Sequence, residues 1–124
     1  MARRDLSGAV DFAHLERFTA GDAALAEEVL GLFREQAELW IRLLDPTSDQ
    51  PGWRDAAHTL KGSAAGIGAF RLASACAEAE AGACASVVER RALSNRVKDA
   101  LDAALLDVAA YLHELRLREL KGAA

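Results

Sequence analysis

The stretch Ala57-His58-Thr59-Leu60-Lys61-Gly62-Ser63-Ala64 holds the most reactive grouping in the chain. Residues three and four apart on a helix share a face, so His58, Lys61 and Gly62 line up. A neutral imidazole has one unprotonated nitrogen that can attack phosphorus. An ammonium group one turn away can help neutralise an anion carried on the ring. A mid-helix glycine costs about 1 kcal/mol relative to alanine, in a chain that uses alanine freely. Gly62, with Ala65 beyond it, clears the space above His58 for the flat approach of another protein. The plain alternative is a histidine–lysine pair on a solvated helix face with no chemistry.

The helix that must carry this group is defined by Trp53, Ala57, Leu60, Ala64 and Ile67, spaced 4, 3, 4, 3. That is the seam of a helical bundle. His58 is one step of about 100° from Ala57. The stripe His58, Lys61, Gly62, Ala65 therefore lies on the flank or in solvent, and Arg54 and Asp55 extend it toward the N-terminus. Gly66 and Gly68 bracket the end of this helix.

The rest of the chain reads as helix too. A short helix is expected around Asp11–Phe18. Gly21 serves as its stop and Asp22 as the next N-cap. From Asp22 to Leu44 the apolar residues Leu25, Val29, Leu32, Phe33, Trp40, Leu43 and Leu44 recur at helical intervals. Residues 45–52, with both prolines, form the clearest loop. After the histidine helix, another runs from about Ala69 to Ala81 with Leu72, Cys76 and Ala79 inward, and Gly82 ends it. Ser86-Val87-Val88-Glu89 fits a capping box. A last helix reaches about Leu120 through Val97, Leu101, Ala104, Val108, Tyr111 and Leu115, with Ser94-Asn95 a candidate break. No strand-like alternation occurs. The expected fold is all-α: an antiparallel four-helix bundle with a short additional N-terminal helix. One domain is expected over residues 8–120, with short tails at 1–7 and 121–124.

Composition narrows the function. The chain has 124 residues, 52% hydrophobic and 27% charged, which suits a single globular core. A net charge of −4 argues against nucleic acid as a partner. The basic stretches Ala2-Arg3-Arg4 and Arg90-Arg91 are expected to be solvated surface. No apolar run approaches the ~18–20 residues of a membrane span, and no secretory leader is visible. Cys76 and Cys84, without a CxxC, are expected as reduced thiols in a cytoplasmic protein. His14 and His113 lack the Lys and Gly neighbours and are expected at the surface or an edge.

The segment AHTLKGSAAGIGAFRL resembles the signature of histidine-containing phosphotransfer domains, the HPt family of phosphorelays. The segment LERFTAGDAALAEEVLGLF is similar to the family's leading region, and the resemblance covers about residues 10–82. It implies that His58 accepts a phosphoryl group from an aspartyl phosphate on a receiver domain and passes it to another receiver. It implies that Lys61 supports that group and that Gly62 leaves room for the partner. The expected protein is a phosphocarrier rather than an enzyme, with no ATP-binding or autokinase domain. No cofactor is expected on this chain, although magnesium is expected on the partner receiver. Expected partners are response-regulator receivers and a hybrid histidine kinase, with the chain a monomer. Where the family often has Asn in the glycine-rich segment, this chain has Ala65-Gly66.

Geometry adds one residue. If two helices meet at a turn near Ala69, positions equidistant from it lie at the same height. Glu80 then stands beside His58, where a carboxylate would fix the ring tautomer; the alternative is a solvated glutamate near a helix end. Ala77 and Ala73 fall beside Lys61 and Ala65. The expected docking face is Arg54, Asp55, Lys61, Gly62, Ala65, Ala73 and Ala77 around His58.

Three other kinds of helical protein carry comparable residues. A histidine-kinase dimerisation domain usually has an acidic residue after its histidine, but Thr59 follows His58. A di-iron bundle needs Glu-x-x-His pairs, and none occurs, so no metal site is expected. A non-catalytic bundle that binds a receiver or kinase without phosphotransfer differs only in leaving His58 unused.

Overall fold

The computed structural model describes residues 7–123. Among them are five helices: α1 (Phe12–Thr19), α2 (Ala23–Leu43), α3 (Gln50–Ile67), α4 (Phe70–Ala81) and α5 (Val87–Ala123). The fold is all-α. Helices α2 to α5 close a ring of neighbours, α2 on α3, α3 on α4, α4 on α5 and α5 on α2, while α1 packs on α2 and α3.

Local chemistry sets the helix ends. Asp11, Asp22 and Asp49 cap α1, α2 and α3, their side chains accepting from the backbone N–H of His14, Leu25 and Gly52. Ser86 and Glu89 form the expected capping box, with Glu89 N–H donating to Ser86 Oγ and Ser86 N–H to Glu89 Oε1. Gly68 ends α3 with φ +90°. A Cβ there would stand 2.6 Å from the Asp11 carbonyl oxygen, and Asp11 N–H donates to Gly68 O at 2.9 Å. Glycine thus lets the α1 cap close onto the α3–α4 turn.

The seams of α3, α4 and α5 are buried as their spacing predicts, from Trp53 to Ile67, from Leu72 to Ala79 and from Val97 to Leu115. Phe12 stacks on Tyr111 with ring centroids 4.2 Å apart, tying α1 to α5.

Several expectations are corrected. In α2 the core line is Ala26, Leu30, Phe33 and Ala37. Leu25, Leu32 and Leu43 are exposed and Val29 and Trp40 partly buried. Small and large side chains share this line, so that alanine sits where a neighbouring helix approaches and Leu30 and Phe33 fill the space between. The loop after α2 ends at Asp49 rather than at residue 52. Pro51 lies in the first turn of α3, where its missing N–H forfeits no bond. Of the two glycines near the end of α3, Gly66 lies inside the helix and only Gly68 terminates it. Gly21 follows the stop of α1 instead of making it, since Ala20 already takes the left-handed cap.

Helix α5 runs through Ser94-Asn95 without a break, and Ser94 Oγ donates to the Leu44 carbonyl. It also continues past Leu120 to Ala123, so residues 121–123 are helix and not tail. Ser7, expected in the N-terminal tail, is held by Asp107, which accepts from its N–H at 2.8 Å and its hydroxyl at 2.9 Å. Arg91 is exposed, but Arg90 is buried among backbone carbonyls. The stretch Ala2-Arg3-Arg4 lies outside the described residues.

Candidate functional site

Helices α3 and α4 form a hairpin around Gly68-Ala69, and this brings Glu80 back to His58. His58 Nδ1 lies 3.0 Å from Glu80 Oε2, and Lys61 Nζ donates to Glu80 Oε1 at 2.7 Å. One carboxylate thus bridges the imidazole and the ammonium group. With Glu80 ionised, Nδ1 carries the proton and donates, which leaves Nε2 with its lone pair. The His58 side chain is 68% exposed, whereas Glu80 is 24% exposed. The ring therefore projects to solvent while its anchor is half-buried.

The Glu80 carboxyl is held below its ordinary value of 4.5. The Lys61 hydrogen bond is the main cause; partial burial opposes it, and the His58 hydrogen bond adds to it. One turn below, Cys76 is fully buried, and burial pushes its thiol up to about 12. It stays neutral and has no part in the chemistry of the surface above it.

The remaining predicted positions fall on the same face. Arg54, Asp55, Gly62 and Ala77 are exposed, and Ala65 and Ala73 half-buried. A Cβ built on Gly62 meets nothing within 4 Å, so packing does not require a glycine there. Gly66, one turn further, is equally open. Neither of the other histidines joins the Glu80 bridge: His14 is half-buried, in edge contact with Phe70 and in the lining of a neighbouring groove, and His113 is exposed on α5. Among the described residues no cluster of His, Cys, Asp or Glu is arranged to hold a metal ion.

Sequence reasoning missed what lies beside and beneath this face. A shallow groove of about 400 Å³ includes Phe18, Val29, Leu32, Ser63 and Gly66 in its lining. Phe18 and Leu32 are more than half exposed there. The signal was present as leucines of α2 that the Ala26–Ala37 core line does not use. Trp53 was expected as a seam residue and Arg90 as surface, and the hydrogen bonds that both make escaped. The indole N–H of Trp53 donates to the Ala79 carbonyl at 2.6 Å, beside Glu80. Arg90 was legible in principle, because the α5 seam runs back from Val97 through Ser94 to Arg90 in unbroken 3, 4 steps.

The model of the Hpt domain matches residues 24–116. The chain is also similar to the crystal structure of the histidine phosphotransferase ShpA from Caulobacter crescentus. The two share 57% sequence identity with a TM-score of 0.74, over 91% of this chain and 99% of that one. No curated protein matches the chain.

Proposed function

The chain belongs to the Hpt domain family, whose role is phosphotransfer in two-component signalling, and we propose that His58 is its phosphoacceptor. The observation that carries this reading is the Glu80 bridge, which ties down Nδ1 and leaves an exposed Nε2.

The step is a phosphoryl exchange. The Nε2 lone pair attacks the phosphorus of an aspartyl phosphate on a donor receiver. The Nε2–P bond forms as the P–O bond to the aspartate breaks, and the donor's carboxylate leaves with that electron pair. The ring keeps its Nδ1 proton and becomes a phosphoimidazolium, whose positive charge the Glu80 carboxylate offsets. A carboxylate oxygen on an acceptor receiver then attacks phosphorus, and the N–P bond breaks. The same residues serve both directions, so the chain acts as a carrier. Magnesium is assigned to the receiver and no cofactor to this chain.

Lys61 has a second task besides the one its spacing suggests. It neutralises Glu80, which keeps the carboxylate from repelling the incoming phosphoryl group. Gly62 leaves Nε2 open to the receiver's phosphorylation pocket.

Two-component receiver or kinase proteins are the partners of such a domain. The docking face we assign runs from Ala73 and Ala77 on α4, across Arg54, Asp55, Gly62 and Ala65 on α3, to the groove at Phe18 and Leu32. Gly66 lines that groove one helical turn beyond Gly62, and both glycines are open, which supports one receiver covering both the polar and the apolar part. His58, Lys61 and Glu80 all come from one chain, so a monomer suffices.

The test is transfer from a phosphorylated receiver to the purified chain, followed by transfer to a second receiver. Wild type is expected to become labelled and to pass the label on, whereas His58→Gln does neither. Transfer by the glutamine variant would overturn the assignment.

A further inference from the structure

Glu80 sits in the last turn of α4, which ends at Ala81. Such turns fray, because the final carbonyls have no helical partner. Here side chains from two other helices take carbonyls at that end. The Trp53 indole N–H donates to Ala79 O at 2.6 Å, and Arg90 Nη2 donates to Ala83 O at 2.5 Å. Arg90 Nη1 also donates to Ser48 O at 2.6 Å and to Pro46 O at 3.2 Å, on the connection that leads into α3. The guanidinium carbon of Arg90 lies 5.1 Å from the centroid of the Trp53 ring. Trp53 is fully buried and Arg90 is 6% exposed. A cation at this point also suits the negative end of the α4 dipole.

Trp53 stands five residues before His58 on the same helix, and Ala79 immediately precedes Glu80. The indole hydrogen bond therefore ties the backbone next to the carboxylate to the helix that bears the histidine. Arg90 backs the indole and fastens the neighbouring turn to the entry of α3. We propose that Trp53 and Arg90 are positioning residues, a clamp that holds the last turn of α4 in the register at which Glu80 reaches His58 Nδ1. Neither touches the imidazole. The consequence for transfer rests on His58 being the phosphoacceptor; the geometric effect does not.

Trp53→Phe keeps an aromatic ring in the core and removes the donor. In the full-length unphosphorylated chain, nitrogen NMR shifts of the two His58 ring atoms report which of them carries the proton. Glu80→Ala defines the shifts of a ring with no carboxylate. Trp53→Phe is expected to move both shifts from the wild-type values toward those of Glu80→Ala, and the double variant to coincide with Glu80→Ala alone. In transfer from a phosphorylated receiver each single variant is expected to slow the reaction, by up to about tenfold. The double variant is then no slower than Glu80→Ala, the signature of two residues acting through one contact. Arg90→Lys keeps the charge but loses the planar fork; it is expected to move the shifts in the same direction and serves if Trp53→Phe does not fold. Wild-type His58 shifts in a folded Trp53→Phe or Arg90→Lys, or rate losses that multiply in the double variant, would overturn the proposal. Ring shifts that respond while His58→Gln still accepts phosphate would uphold the clamp and remove the phosphoacceptor assignment instead.

Discussion

His58 Nδ1 and Glu80 Oε2 are 3.0 Å apart although 22 residues separate them in the chain. The hairpin of α3 and α4 makes this contact, and it divides the two ring nitrogens into one that is held and one that is free.

His58 is expected to be the only residue phosphorylated. His58→Gln should leave the fold and thermal stability close to wild type, because the side chain is 68% exposed. It should abolish labelling. Mass spectrometry of the labelled wild-type chain, handled at neutral or alkaline pH because phosphohistidine is lost in acid, checks the position. Phosphate on His14 or His113 would contradict it.

The Glu80 contacts have a pH signature. The carboxyl is lowered in the folded chain, chiefly by the Lys61 hydrogen bond. A lowered folded value means that its contribution to stability is complete above the ordinary value of 4.5 and is lost as pH falls through the folded value. The advantage of wild type over Glu80→Gln in urea midpoint should therefore be present at pH values above about that point. It should shrink as the solution becomes more acid. An advantage that stays level into strong acid would show that the ionised carboxylate does not stabilise the fold.

Gly62 and Gly68 are expected to respond oppositely to substitution. Gly62 has open space around a new Cβ, so Gly62→Gln should fold and gain a few tenths to ~1 kcal/mol of stability from better helix propensity. It should nonetheless slow transfer sharply, since the new side chain stands over the imidazole. Gly68→Ala meets the Asp11 carbonyl oxygen at 2.6 Å in a left-handed backbone and should lose more than ~1 kcal/mol. Thermal melts and transfer rates on the same two variants decide both points.

Arg54 lies on the exposed stripe one turn before His58. Arg54→Ala should slow transfer more at low salt than at high salt, with little change in melting temperature, because a rim charge acts mainly on encounter. Chemical-shift mapping with a receiver gives the location. Perturbations gathered on α5 around Asp99 to Leu115 would place the partner elsewhere.

The sequence alone was enough for the helices and for the caps at Asp22 and Ser86, but not for every helix end. Seams spaced 3 and 4 along α3, α4 and α5 fix which side is buried, because that period is the geometry of the helix itself. The exposed position of His58 and the pairing with Glu80 followed from the same arithmetic and the hairpin turn. In α2 the recurring apolar residues Leu25, Val29, Leu32, Phe33, Trp40, Leu43 and Leu44 do not all lie on one face, so their recurrence did not single out the buried side. The core took the line Ala26, Leu30, Phe33, Ala37, because the buried face is the one that α3 and α5 meet, and only the assembled bundle sets that. Arg90 shows the same limit: an arginine in phase with a buried seam is buried only if carbonyls from other segments come to meet it. Pro46, Ser48 and Ala83 supply those carbonyls from two separate connections. A hydrogen bond between segments distant in sequence leaves no periodic trace, so the clamp beneath Glu80 was decided by the tertiary structure alone.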